Sequence, residues 1–212
     1  MTRLVLIRHG QSRATVDGVV GGERGCAGLT DAGRQQAAAL AARVGKTQEL
    51  AGAVGLWAST LPRAIETALE LAPVLGLDVV TDAGLCELDP GEGDGLSWAD
   101  FQRRFGSFDM AAEPYRPLAP GGESWVAFGR RVRDTLAHLA SGDGLTVAVC
   151  HGGVIEQAML QSLGLPATTG PGVLMATPPN TSISEWTVSA TSEWRLLRFA
   201  DAAHLATSDG GR

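Results

Sequence analysis

The chain has 212 residues, a length that suits one domain, or one domain with a lid, better than two independent units. Its 44% apolar content is ordinary for a soluble globule, and a formal net charge of −6 argues against a surface built to hold nucleic acid or another polyanion. Three widely spaced cysteines, with no Cys-x-x-Cys pair, exclude a disulfide framework and a thiolate zinc site; Cys26, Cys86 and Cys150 are expected as small buried hydrophobes.

The first element is a strand over Leu4 to Ile7, a short continuous apolar run of the kind buried on both faces of a parallel sheet. It begins so early that no signal peptide is expected, and no apolar run approaches a membrane span, so the expected location is the cytoplasm. The strand ends abruptly in Arg8-His9-Gly10-Gln11-Ser12. In open α/β sheets, ligands bind just beyond the carboxyl ends of the strands. Here that position offers a guanidinium fit for a phosphate or carboxylate, an imidazole able to attack or to carry a proton, and a glycine that admits close backbone approach.

A Gly-rich loop over residues 18–28 follows. Thr30 reads as the N-cap of a helix through Ala37, Leu40, Ala41 and Val44, with Gly45 as its stop. Residues 53–58 form a second strand; Ser59 or Thr60 is expected to cap a helix through Pro62, Arg63, Ile65 and Leu69 that ends near Gly76. A third strand spans 77–81. The turn-rich stretch 84–98 carries Glu87, Asp89, Glu92 and Asp94, and Ser97 caps a helix to about Phe105. Residues 108–122, with three prolines and two glycines, read as a loop or lid. Ser124 starts a long helix with Trp125, Phe128, Val132, Leu136 and Leu139 on one face. A buried strand, 145–150, leads through His151-Gly152-Gly153 into a helix over 154–163. Two late strands, 182–188 and 194–199, suggest a hairpin, and the chain is expected to fray after Leu205. Alternating strands and helices indicate an α/β fold.

Two apolar strands thus end in His, and one parallel sheet would deliver His9 and His151 to the same edge. Gly152 and Gly153 would open a helix N-terminus, whose free N–H groups favour an anion. Arg63 sits in the first turn of another helix, and Glu87 lies in a loop at a strand end. Taken singly, each fits an ordinary role: a strand-end histidine, a solvated helix arginine, a surface glutamate. Together, two Arg, two His and one carboxyl group suit phosphoryl transfer through a covalent intermediate.

The motifs resemble those of the histidine phosphatase superfamily, also called phosphoglycerate mutase-like. The resemblance spans most of the chain: 4–12 around Arg8-His9-Gly10, 29–37 (Leu-Thr-Asp-Ala-Gly-Arg-Gln-Gln-Ala), 58–68 around Arg63, 87–95 around Glu87, 120–124, and 149–155 around His151. It implies a three-layer sandwich, with a mostly parallel central sheet and helices on both faces, in a single domain over 1–212 with a small lid at about 88–122. It implies His9 as phosphohistidine nucleophile, Arg8, Arg63 and His151 as the phosphate pocket, and Glu87 as proton donor to the leaving group and then base for water. Gln11, Ser12, Thr15 and Gly152 would line the pocket. The family needs no metal or other cofactor, and His138 and His204 are expected at the surface, away from the site. Three positions depart from the family pattern: Thr15 stands where an Asn often contacts phosphate, Asp94 replaces the second Glu of the acidic loop, and Gly93 replaces an aromatic, which would widen the mouth.

The resemblance leads to a phosphomonoesterase acting on a small phosphorylated substrate. The family's mutases are longer, with an insertion that encloses the substrate and supplies a basic set for its carboxylate; here residues 108–122 hold a single cation, Arg116. The alternatives are a phosphoglycerate mutase, which would need a 2,3-bisphosphoglycerate primer, and a non-catalytic phospho-ligand binding module. Arg103 and Arg104 read as a solvated helix face or as contacts for an acidic substrate, Phe108 and Tyr115 as lid packing or substrate contacts, and the late strands as an edge at which a homodimer would form.

Overall fold

The structure is a computed structural model and describes residues 1–171 and 177–206. Six strands form one sheet in the order β3-β2-β4-β1-β5-β6. They are β1 (Thr2–Arg8), β2 (Ala53–Ala58), β3 (Val79–Thr81), β4 (Gly144–Cys150), β5 (Ile183–Val188) and β6 (Trp194–Asp201). The first four are mutually parallel, and β5 and β6 form the expected antiparallel hairpin on the β1 side. The helices are α1 (Arg13–Val16), α2 (Asp31–Thr47), α3 (Pro62–Leu75), α4 (Trp98–Phe105), α5 (Trp125–Leu139) and α6 (Gly152–Ser162).

Side-chain alternation along the central strands builds two cores. Leu4 and Leu6 of β1 and Ala148 and Cys150 of β4 pack under α5 and α6. Val5 and Ile7, with Val147 and Val149, pack under α2 and α3 on the other face. Burial on both faces explains why these strands are apolar throughout. The three-layer α/β architecture is therefore as expected. The chain leaves β1 toward α2 on one face and β4 toward α6 on the other, so a crevice opens between these neighbouring strands at their carboxyl ends.

Several local expectations change. Gly45 does not stop α2, because it lies inside the helix; Gln48 ends it in the left-handed conformation, φ 56°. Neither Ser59 nor Thr60 caps α3: Leu61 holds that position, Pro62 begins the helix, and no side chain caps it. Strand β3 is shorter than 77–81, and α6 begins at Gly152 rather than at 154. The tail expected to fray lies, past Ala206, outside the described residues. Among the described residues no helix is long and apolar enough to cross a membrane. All three cysteines are free; Cys26 and Cys150 are buried, whereas Cys86 is only half-buried.

A third, smaller core of Val20, Phe101 and Ala119 ties the Gly-rich loop, α4 and the 108–122 segment together. Gly93 belongs here and does not widen the mouth. It is buried, and a Cβ on it would lie 2.3 Å from Phe101 Cε2, so the phenyl ring occupies the space an aromatic would need. Gly93→Ala is expected to lower the unfolding free energy by about 1–3 kcal/mol through overpacking, measured by urea titration; an unchanged midpoint would show that Phe101 yields freely.

Candidate active site

The β1–β4 register pairs Arg8 with Cys150, so the next residue of each strand, His9 and His151, emerges at the same level. The ladder runs one step further, with His9 N–H donating to Cys150 O at 3.0 Å. The two rings lie 5.0 Å apart, inclined at 59°. His9 is 5% exposed and His151 fully buried, which separates both from ordinary surface histidines.

Arg63, in the first turn of α3, is also buried and reaches both rings. Its Nε–H is shared between His9 Nε2 at 3.1 Å and His151 Nδ1 at 3.3 Å, and its Nη1 donates to Gly21 O at 2.8 Å. A guanidinium only donates, so both of those ring nitrogens are lone-pair acceptors. The other nitrogen of His9, Nδ1, lies 2.6 Å from Gly10 O, a carbonyl that only accepts, so Nδ1 carries the proton. His9 is thus a neutral ring with a bare Nε2 pointing at the same place as Nδ1 of His151.

Burial disfavours the charged form of each imidazole, and the nearby Arg63 adds to it, holding both pKa values well below the ordinary range. Arg8 feels burial as well, partly offset by Glu87 and reinforced by Arg63, so its pKa is lowered too. Its Nη1 donates to Pro178 O at 2.5 Å, and its buried Nε has no acceptor among the described residues. Arg8, His9, Arg63 and His151 therefore lie together at the carboxyl edge of the sheet, with Arg63 in contact with both rings.

Glu87 joins at the start of α6. Its Oε2 accepts from Gly153 N at 3.0 Å and its Oε1 from Leu88 N at 3.1 Å. A Cβ on Gly153 would fall 2.3 Å from Oε1, so the close approach requires glycine there. Beside this cluster opens a cleft of about 700 Å³ lined by Gly21, Leu61, Cys86, Glu87, Asp94, Pro120 and Arg131, among others. Gly152 starts α6 against the Arg8 guanidinium, where a Cβ would lie 3.8 Å from Nε.

The remaining expected site residues are turned to other partners. The Gln11 side-chain oxygen accepts from Thr30 Oγ1 at 2.8 Å, at the N-terminus of α2. Ser12 caps α1 through Thr15 N, and its hydroxyl lies 2.9 Å from that of Thr15, which is exposed. His138 is exposed, against Trp57, but His204 is half-buried, with Nε2 2.8 Å from Thr181 Oγ1; the N–H of Thr181 in turn donates to Arg8 O. Arg103 pairs with Asp100 and Arg104 with Glu92, as a solvated helix face would; Arg116 pairs with Glu113 and lies over Phe108, and Tyr115 is exposed.

Three further residues have supporting roles that the sequence alone does not show. Arg131 donates to Gly84 O, Cys86 O and Glu87 O and pairs with Glu123, clamping the loop that carries Glu87. Asp94 accepts from Gly22 N, Arg24 N and Gly25 N, folding the Gly-rich loop so that Gly21 O meets Arg63. Ser59 contacts His151 Nε2 at 2.7 Å. Asp94 and Ser59 stand inside recognisable motifs; Arg131 carries no local signal beyond its place on α5. Among the described residues no group of three or more His, Cys, Asp or Glu side chains is arranged to hold a metal ion.

A sequence model of the histidine phosphatase superfamily (branch 1) matches residues 4–202. A glucosyl-3-phosphoglycerate phosphatase of Mycobacterium tuberculosis is 33% identical over 182 residues, 81% of this chain and 79% of that protein. A bifunctional protein of the same organism is 35% identical over 206 residues, which cover 92% of this chain and 53% of the relative, so the chain spans about half the length of that relative. Among solved structures, that of mycobacterial glucosyl-3-phosphoglycerate phosphatase in complex with VO3 is similar with a TM-score of 0.76 and 31% identity, over 93% of this chain and 98% of that one.

The buried neutral imidazoles make stability depend on pH. Below about 6.5 the unfolded chain protonates its histidines, whereas the folded state resists protonation at His9 and His151, and more weakly at His204. The unfolded state then binds more protons, so stability falls as pH drops. Urea unfolding is expected to give a nearly constant free energy above pH 7 and a decline below 6.5 of up to ~1.4 kcal/mol per pH unit for each fully buried histidine. His9→Asn should reduce that slope; a wild-type profile flat to pH 5 would contradict neutral burial.

Proposed function

Because the chain belongs to the histidine phosphatase superfamily (branch 1), we propose that it is a phosphomonoesterase that works through a phosphohistidine on His9 and acts on a small phosphorylated metabolite. The observation that carries this reading is the bare, neutral Nε2 of His9, covered by the Arg63 guanidinium and within the field of Arg8. A nucleophile needs a free lone pair, and the transferring phosphoryl group needs fixed positive charge and N–H donors. One cluster supplies both.

In the proposed reaction the phosphoryl group enters with its oxygens toward Arg8, Arg63 and the N–H groups that open α6. Arg63 Nε–H passes from the ring nitrogens to a phosphoryl oxygen and uncovers His9 Nε2. The N–P bond forms as the P–O bond to the alcohol breaks, and Glu87 gives the departing oxygen its proton. Glu87 then takes a proton from water as the water oxygen attacks phosphorus; the N–P bond breaks, phosphate leaves and Nε2 regains its lone pair. The Nδ1–H bond to Gly10 O keeps the ring from turning its protonated nitrogen to phosphorus.

The two arginines of the cleft wall, Arg24 and Arg131, are engaged with loop carbonyls and carboxylates, and do not form a free basic set for a substrate carboxylate. This supports hydrolysis over the mutase reaction. Residues 88–122 serve as the lid of a single domain; their own small core around Phe101 supports that role. We place the enzyme in the cytoplasm, with small esters rather than nucleic acid as partners, and with the exposed Leu196 and Leu197 of edge strand β6 as the place where two copies would pair.

Phosphate release measured over sugar phosphates, glycerate phosphates and nucleotides, with glucosyl-3-phosphoglycerate included, should identify the ester. His9→Ala should bring turnover to background. Glu87→Gln should lower kcat/KM for alkyl phosphates by about 10²–10⁴, and that for nitrophenyl phosphate far less, since a good leaving group needs no proton. Mass analysis of the His9 peptide after an alkaline denaturing quench should show a phosphoryl adduct. Isomerisation of 3-phosphoglycerate outpacing phosphate release would mean a mutase; no adduct and no turnover on any ester would mean a binding module.

A further inference from the structure

Ser59, at the carboxyl end of β2, has no part in the reaction above, yet it is fully buried against its second imidazole. Three groups surround its hydroxyl. The Leu61 backbone N–H donates to Oγ at 3.1 Å, His151 Nε2 lies at 2.7 Å, and Cys86 Sγ lies at 3.5 Å. The sulfur is also 3.1 Å from Thr60 Oγ1.

The proton positions follow from which groups can only donate. Arg63 Nε–H donates to His151 Nδ1, so that nitrogen is bare and the neutral ring carries its proton on Nε2. That Nε2–H donates to Ser59. The two acceptor sites of the hydroxyl are then filled by Leu61 and His151, and its own proton points to Cys86 Sγ. With the other tautomer, Nδ1–H would confront the Arg63 N–H, two donors with no acceptor between them.

We infer that Ser59 is a positioning residue: Arg63 sets the Nε2–H tautomer of His151 in the free protein, and Ser59 accepts that Nε2–H and holds the ring so that Nδ1 is the nitrogen turned to the phosphoryl group. The inference rests on the proposed phosphate pocket for its purpose, although the tautomer itself is a property of the free protein. Arg63 Nε lies within reach of both His9 Nε2 and His151 Nδ1, so the nucleophile and Nδ1 converge on one point.

A consequence follows for substrate binding. Once Arg63 moves onto the anion, a bare Nδ1 would face a phosphoryl oxygen, lone pair to lone pair. A proton on Nδ1 turns this repulsion into a charge-assisted hydrogen bond. Phosphate monoesters lose their second proton near pH 6, so the monoanion can supply it: its O–H bond breaks, the Nδ1–H bond forms, and the result is a dianion beside an imidazolium. Both N–H groups of that imidazolium have acceptors, the phosphoryl oxygen and Ser59. The charged and titratable groups that act on His151 are Arg63, His9, Arg8 and Arg131; beside the three arginines and the neutral His9, the imidazolium is tolerated only with the anion present.

Long-range proton–nitrogen correlation of the ¹⁵N-labelled imidazoles tests this directly, in the free protein and with inorganic phosphate added. Wild-type His151 should show a protonated Nε2 and a bare Nδ1; phosphate should protonate Nδ1 and leave Nε2 unchanged. Ser59→Ala should leave Nε2–H without its acceptor and shift the His151 Nε2 signals, weaken phosphate binding about tenfold and reduce the protons taken up per phosphate bound, measured by calorimetry in buffers of different ionisation heat. Ser59→Thr, which keeps the hydroxyl, should restore the wild-type pattern. A purely structural Ser59 would lower the melting temperature of the alanine variant and leave the His151 signals as in wild type, which would overturn the inference. So would a wild-type His151 protonated on Nδ1, a result that does not need the variants to fold. Failure of wild type to bind phosphate, with Nε2–H intact, would count against the proposed function and leave the tautomer assignment standing.

Discussion

One N–H group, that of Arg63 Nε, lies between two imidazole nitrogens, and the chemistry of the molecule depends on that sharing. A buried guanidinium loses much hydration and needs acceptors for its donors. Here the acceptors are the lone pairs of His9 and His151 and the carbonyl of Gly21. In return the cation disfavours protonation of both rings, which keeps them neutral acceptors. Each group thus stabilises the state that the others require. A tetrahedral anion would satisfy the same donors better, because it brings charge as well as lone pairs.

Several elements hold this arrangement in place. The parallel pairing of β1 with β4 sets the spacing of the histidines, and burial on both faces of the sheet fixes the register. The Gly-rich loop reaches Arg63 only because the Asp94 carboxylate gathers three of its backbone N–H groups. Arg131 organises the loop before Glu87 by donating to its carbonyls, and burial, which alone would lower the pKa of this arginine, is outweighed by its pairing with Glu123. Glu87 then meets α6 at Gly153, where a side chain would not fit. Residues held by packing and hydrogen bonds of this kind need little reorganisation when charge develops nearby.

The strands, the long helices and the motif-bearing strand ends could be read directly from apolar runs, 3.6-residue spacing and caps such as Thr30, Ser97 and Ser124, because those signals are local. The same local reasoning misplaced Ser59, whose hydroxyl has the chemistry of a cap but meets His151, 92 residues away. It also misread Gly45, which lies inside α2, while the comparison with the family pattern misread Gly93, where Phe101 fills the space. For Ser59 and Gly93 a contact between separate segments outweighed the local reading.

The order and type of the elements, the α/β class, and the presence of two histidines, two arginines and a glutamate at strand ends and helix starts were determined by the sequence alone, since hydrophobic periodicity and residue chemistry need no knowledge of the fold. Which ring nitrogen is bare, which donor covers it, and which residues hold Glu87 and the Gly-rich loop were decided only in three dimensions. Hydrogen-bond direction depends on distances of about 3 Å between groups far apart in the chain, and no spacing along a sequence encodes them.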